Sequence, residues 1–323
     1  MVTAFSPSPP PSLPLGRKKG RASRGVYPVR AFFRIFFLVA VLLTSTGKDG
    51  VAEDNLRVEH LPRLVRQGDV CLLRASSPAT LKSIHGEFQG NKFPMAVGVR
   101  DGIFEGLLGI DLNTRPATYK IKVVATDGEG KVYSKSLLLK VRKVDFKTQR
   151  LSLPSSMVDL DPKTLERVDE ESRRLKALFQ SFRDEKIWRG AFIRPVDGEI
   201  STGFGLRRVI NGRTRNPHTG VDLKAEEGTP VMACNRGIVA LVDHLFFSGK
   251  SVVLDHGWGL YSMYFHLSRA QVNEGDRVLK GAVIGRVGST GRSSGPHLHW
   301  GIIIHEARVD PLSLLKSTKH GGE

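Results

Sequence analysis

Between residues 229 and 287 the chain is a succession of short Val- and Ile-rich runs punctuated by glycine, asparagine and aspartate. The runs at 229–233, 237–242, 251–255, 261–265 and 282–287 have strand length, roughly four to eight residues, and turn-forming neighbours. No sustained period of 3.6 residues crosses them, so the region cannot close as a helical bundle. It predicts an antiparallel β-sheet or sandwich with a groove. The segment Glu274-Gly-Asp-Arg-Val-Leu-Lys-Gly281 also fits the hairpins of biotinyl and lipoyl carriers. A carrier, however, has no need of the histidines and aspartate that flank it.

Those residues form two motifs, His218-x-x-x-Asp222 and His297-x-His299. Residues two or four apart in a strand share a face, so each motif can present its side chains together. A helix would also align positions four apart, but Pro217 and Gly220-Val221 argue against one here. Two histidines and one aspartate supply the three protein ligands of a catalytic zinc, with a fourth position left for water. The chemistry predicted is metal-dependent hydrolysis.

A third segment, Tyr264-Phe-His266-Leu267, lies between these two motifs, and the last reads Gly295-Pro-His297-Leu-His299-Trp300 after Gly288-Ser-Thr-Gly291. In this order the segments resemble the lysostaphin-type zinc endopeptidases, which cut the peptide part of bacterial cell walls. The resemblance covers the C-terminal region only. It implies a single zinc held by His218, Asp222 and His299. It further implies that His266 and His297 position the water and stabilise the transition state, with the division of labour between them left open. The implied substrate is the stem peptide of peptidoglycan, with D-alanyl-diaminopimelate cross-links favoured over glycyl-glycine bridges. A catalytically silent wall-binding or amidase-activating protein on the same scaffold is the alternative. Such relatives usually lack a zinc ligand, whereas this chain keeps all three.

The other histidines carry weaker signals. His256 ends a strand run and suits a turn or a supporting hydrogen bond, and His305 lies beyond the last motif. His60, His85, His244 and His320 have no motif around them. The net charge of +17 raises the question of nucleic acid, but no helix-turn-helix, zinc-finger or RNA-binding sheet signature accompanies it. A cationic surface suits an anionic wall, and Arg207, Arg208, Arg213 and Arg215 precede the first zinc motif. Arg213 and Arg215 are expected to meet carboxylates of stem peptides. Cys71 and Cys234 are expected as two separate buried thiols.

Composition divides the rest of the chain. Residues 1–52 combine a basic stretch, Arg17 to Arg34, with an apolar run from Ile35 to Leu43 and small residues after it. This reads as an export signal or an N-terminal anchor, placing the protein in the periplasm or cell envelope. The membrane is engaged only through this segment, if it is uncleaved. Residues 53–147 alternate in the strand manner, with Asp127-Gly128 as a turn, and predict an immunoglobulin-like accessory sandwich. Residues 148–187 predict an amphipathic helical connector. Asp161 is its N-cap, Pro162 its first residue, and an apolar stripe runs through Leu165, Val168, Leu175, Leu178, Phe179 and Phe182. The stripe is expected to pack on a neighbouring domain. Residues 188–316 form the predicted zinc peptidase domain and 317–323 a tail, giving a mainly β protein.

Overall fold

The structure is a computed structural model that describes residues 56–98, 101–152 and 160–319. The predicted export signal or anchor and His320 lie outside the described residues. No helix among the described residues is long and apolar enough to cross a membrane.

Alternating burial along the N-terminal strands builds two sheets around one core. Strands β1 (Arg57–Leu61), β3 (Val70–Ser76), β6 (Ala96–Val97) and β7 (Ile103–Gly109) form an antiparallel sheet in the order β1-β3-β7-β6. The second sheet runs β2-β9-β8-β4-β5. Its members are β2 (Val65–Arg66), β4 (Leu81–Phe88), β5 (Asn91–Pro94), β8 (Ala117–Asp127) and β9 (Val132–Arg142). Leu73 and Leu108 from one sheet meet Ile121, Val123 and Leu139 from the other in a common cluster. The β8–β9 turn is tied by Asp127, whose carboxylate accepts hydrogen bonds from the Glu129 and Lys131 amides and from the Tyr133 hydroxyl.

The connector begins as a strand. β10 (Thr148–Leu151) pairs in parallel with β12 (Arg207–Ile210), which forms a hairpin with β13 (Arg213–Arg215). Helix α1 (Pro162–Gln180) then starts where the sequence places it, with the Asp161 carboxylate accepting from the Thr164 amide at 3.0 Å. Only part of its predicted stripe is covered. Val168 is buried, and Leu178 and Phe179 pack on a cluster containing Tyr261 and Ile303, while Leu165 and Phe182 stay exposed. Polar contacts complete the seat. Arg167 donates to the His244 carbonyl, Glu171 accepts from the Phe246 amide, and Arg174 pairs with Asp243.

The C-terminal region is dominated by one large sheet in the order β11-β14-β21-β18-β17-β16-β19. Its strands are β11 (Ile200–Thr202), β14 (Gly220–Lys224), β16 (Gly237–Leu245), β17 (Gly249–Asp255), β18 (Leu260–Ala270), β19 (Arg277–Val278) and β21 (His297–Ile304). β15 (Pro230–Met232) joins β20 (Val283–Val287), which joins β18; β22 (Ala307–Val309) joins β21. Helix α2 (Pro311–Lys319) follows and includes the first residues of the predicted tail.

The sandwich and this sheet share a hydrophobic core. Val70, Leu72 and Leu107 of the sandwich belong to the cluster that contains Val221, Leu254 and Trp300. The Ser313 hydroxyl accepts from the Val70 amide at 2.8 Å, and the Ser317 hydroxyl donates to the Val70 carbonyl at 2.8 Å. The two cysteines are free and buried, and burial pushes their thiols up to about 12 at Cys71 and about 11 at Cys234.

Candidate metal centre

Strand register brings the two motifs together. β14 and β21 are antiparallel neighbours with Asp222 directly opposite His299. His218 lies just before β14, and its backbone is fixed by bonds in both directions with the turn ahead of β12. Its amide donates to the Leu206 carbonyl, and its carbonyl accepts from the Gly205 amide. Gly220 is the residue that permits the approach. A Cβ there would sit 2.4 Å from the Trp300 carbonyl oxygen and 2.8 Å from His299 Nε2.

Three donor atoms converge as a result. His218 Nε2 lies 2.8 Å from Asp222 Oδ1 and 2.9 Å from His299 Nδ1, and His299 Nδ1 lies 2.9 Å from Asp222 Oδ1. All three side chains are buried. His218 Nδ1 is 2.9 Å from the Gly203 carbonyl, to which it donates, so its Nε2 faces the site as a lone pair. Lone pairs and a carboxylate packed at such distances repel unless a cation sits among them. Zinc accepts this N, N, O set at bond lengths of about 2.0–2.2 Å, so the donor chemistry fits the ion.

Burial alone would raise the Asp222 carboxyl. The imidazoles of His218 and His299 against it instead hold it far below the usual carboxylate range. Burial lowers His299, with Asp222 opposing that shift. Arg208 is buried as well; desolvation lowers its guanidinium, and the charge of Asp222 works against that.

His266 and His297 stand beside the triad with their rings 4.8 Å apart. His297 Nδ1 lies 2.9 Å from the Gly295 carbonyl, and His266 Nδ1 lies 2.9 Å from the Thr290 carbonyl. Each Nδ1–H donates to its carbonyl, which leaves Nε2 as the acceptor on both rings. His297 Nε2 is buried, 3.8 Å from Asp222 Oδ1. Burial, reinforced by the neighbouring His299, lowers His266 to about 4.

His266 takes its place through an irregularity that the sequence does not announce. Strand β18 pairs with β21 through Phe265 and with β20 from Leu267 onward. At the switch His266 adopts a φ of +65°. In a regular strand Phe265 and His266 would face opposite sides. The left-handed residue breaks the alternation, and both rings come to His299. Phe265 stacks on it at 5.5 Å between centroids with 5° between planes, and His266 lies at 6.2 Å. Phe265 and Gly220 are thus site residues that motif reading passed over, although both sit inside the motifs.

The remaining histidines do not join. His256 is buried in a separate network, its Nδ1 2.6 Å from the Arg236 carbonyl and its Nε2 2.7 Å from the Ser262 hydroxyl. His60, His85 and His244 make local contacts elsewhere. Of the arginines, Arg292 stacks on Phe247 at 4.3 Å in the loop that carries Thr290 and Ser293. Burial lowers it to about 10, with the charge of Arg215 adding to the shift.

Parts of this chain are similar to known proteins. Residues 216–311 match peptidase family M23. The DD-carboxypeptidase/endopeptidase Mpg of Neisseria meningitidis is 41% identical over 132 residues, covering 40% of this chain and 30% of that protein. The peptidoglycan DD-endopeptidase ShyA of Vibrio cholerae is 33% identical over 150 residues, covering 46% of this chain and 32% of that protein. The chain therefore spans less than a third of the length of either of these curated relatives. A crystal structure of a peptidase M23 candidate from Pseudomonas aeruginosa is 29% identical with a TM-score of 0.61. It covers 78% of this chain and 95% of its own, so the likeness extends beyond the family segment. The segment that matches peptidase family M23, residues 216–311, contains all three residues of the donor triangle together with His266 and His297.

Proposed function

We propose that this protein is an exported, zinc-dependent endopeptidase that hydrolyses peptide cross-links of bacterial peptidoglycan in the cell envelope. The observation that carries the reading is the buried His218–Asp222–His299 donor triangle with two further imidazoles presenting Nε2 beside it. The relatives named as DD-endopeptidases favour the D-alanyl-diaminopimelate bond, and residues 1–52 serve as export signal or anchor.

His218, Asp222 and His299 would hold the zinc, which when bound polarises a carbonyl and lowers the pKa of water toward neutrality. Asp222 stays ionised and offsets part of the ion's charge. His266 or His297 accepts the proton of the attacking water at Nε2. The resulting imidazolium stabilises the developing oxyanion and passes its proton to the leaving amine. Gly203, Thr290 and Gly295 fix the tautomers through their carbonyls. Arg215, at the end of β13 ahead of His218, and Arg292, in the loop ahead of His297, receive substrate carboxylates.

The deciding experiment is digestion of purified sacculi by the full-length protein with and without a zinc chelator, followed by muropeptide analysis. Chelator-sensitive conversion of cross-linked dimers to monomers is expected. Intact dimers in the presence of stoichiometrically bound zinc would overturn the reading.

A further inference from the structure

Two hairpin tips meet between the sandwich and the peptidase sheet. β4 and β5 close through Gln89-Gly90, flanked by the partners Phe88 and Asn91. β21 and β22 close through His305-Glu306, flanked by Ile304 and Ala307. Both tips have positive φ at both loop residues, 48° and 83° in the first and 46° and 64° in the second. This is the backbone of a type I′ turn, which glycine and asparagine favour. A histidine and a glutamate held there cost about 1–2 kcal/mol each. Strain of this kind persists where the surroundings fix it and is concentrated at ligand sites.

A cavity of about 240 Å³ lies between the tips, lined by Gln89, Asn91, Lys92 and Phe93 from the sandwich and by His305 and Glu306 from the peptidase side. The Phe93 ring faces His305 at 6.2 Å. Both ring nitrogens of His305 are buried without a hydrogen-bond partner among the described residues. Burial lowers this imidazole to about 4, only partly opposed by the nearby Trp258 backbone. The ring is therefore neutral, and at least one of its nitrogens is left without a partner.

The charges decide which ligand suits. Asp111, which also lines the cavity, already accepts from the Asn113 and Arg308 amides, and Glu306 accepts from Gln180. Lys92 is the one cation among the lining residues. A peptide carboxylate would face more negative than positive charge here. A neutral ligand with an apolar face and several hydroxyl or amide groups fits better. Its apolar face would lie on Phe93 and its polar groups on Asn91, Gln89 and His305. The volume lies below the roughly 300–1,000 Å³ of drug-sized pockets and suits one monosaccharide. The five-residue step from His299 to Ile304 spans about 17 Å of strand. A sugar at this end of β21 and a peptide at the other are thus compatible with one polymer.

We propose that this crevice is a subsite for one N-acetylated sugar residue of the glycan strand, formed jointly by the two hairpin tips. The inference rests on the peptidoglycan reading above. Its test is calorimetric titration of the full-length zinc protein with N-acetylglucosamine tetramer, for the wild type, His305→Asn and a Gln89→Ala/Asn91→Ala double variant. His305→Asn suits the positive φ, and Gln89 and Asn91 are exposed, so these changes leave folding intact. Binding by the wild type, weakened at least about tenfold in both variants, is expected; that factor is about 1.4 kcal/mol. The variants should also raise KM on glycan-bearing cross-linked muropeptides while leaving glycan-free stem-peptide dimers unaffected. No tetramer binding by the wild type, or wild-type binding by both variants, would overturn the subsite. Failure of the wild type to cleave either substrate would count against the endopeptidase reading, and the titration would still decide the subsite.

Discussion

At Asp222 burial and pairing pull in opposite directions, and pairing wins: two imidazoles hold the buried carboxyl in its ionised form. Removing the group therefore removes one corner of the donor triangle and leaves His218 and His299 without their shared partner. Asp222→Ala and His218→Ala are expected to lose bound zinc, measured by elemental analysis, together with hydrolysis. His297→Ala should behave differently, because its Nε2 stands outside the donor triangle. It is expected to retain stoichiometric zinc while kcat falls roughly 10²- to 10⁴-fold, the range of general acid–base contributions. Full activity in this variant would refute the assigned role. His256 titrates for a different reason. Its burial lowers it from 6.5 to about 4, while Nε2 accepts from Ser262. The unfolded chain thus takes up the proton first as the pH falls. The stabilisation is complete above about 6.5 and is lost between 6.5 and 4, on the order of 3 kcal/mol. Urea midpoints measured from pH 7 to pH 4.5 should fall, and fall less in His256→Gln.

Strands β14, β18 and β21 place these side chains, each in its own way. β14 needs Gly220 to lie against β21, since any Cβ meets the Trp300 carbonyl. The substitution Gly220→Ala is expected to weaken zinc binding at least about tenfold, because the ligands span the same two strands and forcing them apart by a fraction of an ångström strains the site. Competition with a chromogenic chelator measures this, and wild-type affinity would contradict the packing argument. β18 supplies two rings by changing partner at His266. The β12–β13 hairpin ends in Arg215, and the Thr290 loop carries Arg292. Charge reversal at Arg215 should lower kcat/KM at least about tenfold on stem peptides with free carboxylates and far less on amidated ones, given the worth of charge-assisted hydrogen bonds. Equal losses on both substrates would remove carboxylate recognition as its role. Helix α1 uses Phe179 edge-on against Tyr261 at 5.6 Å, and the Ser181 carbonyl accepts from the Tyr261 hydroxyl. The helix is part of the packed body of the molecule.

Taken as a whole, the described chain is joined across its β-rich halves. Val70, Leu72 and Leu107 are core residues of the peptidase side although they lie on sandwich strands. Hydrogen bonds from Arg308 to Asp111 and from Asp310 to Gly68 extend the junction. Unfolding should accordingly be a single cooperative transition, and Leu107→Ala should lower it by about 2–5 kcal/mol, as for other buried leucines. Two resolved transitions, with only the first shifted, would show that the halves are energetically independent. The rigid junction also holds the tips of β4–β5 and β21–β22 in register around their cavity.

The two- and four-residue spacings in the sequence announced that each motif could present its side chains together, and the resemblance to lysostaphin-type peptidases, not the spacing, singled out His218, Asp222 and His299 from among them. The sequence by itself determined most strands, the Asp161 cap and the Asp127 turn, all of which depend on near neighbours in the chain. Tertiary structure decided what depends on residues far apart. The left-handed turn at His266 arises where β18 exchanges β21 for β20. His299 offers Nδ1 with Phe265 stacked on its ring and Gly220 close beside its Nε2. His256 and His305, alike in sequence as isolated histidines, end in a satisfied network and an unsatisfied crevice. The strand at 148–151, within a segment expected to be helical, forms because β12 offers it a partner. Periodicity records which way a residue faces along its own segment; which segment it then faces is set by packing, and packing is not local.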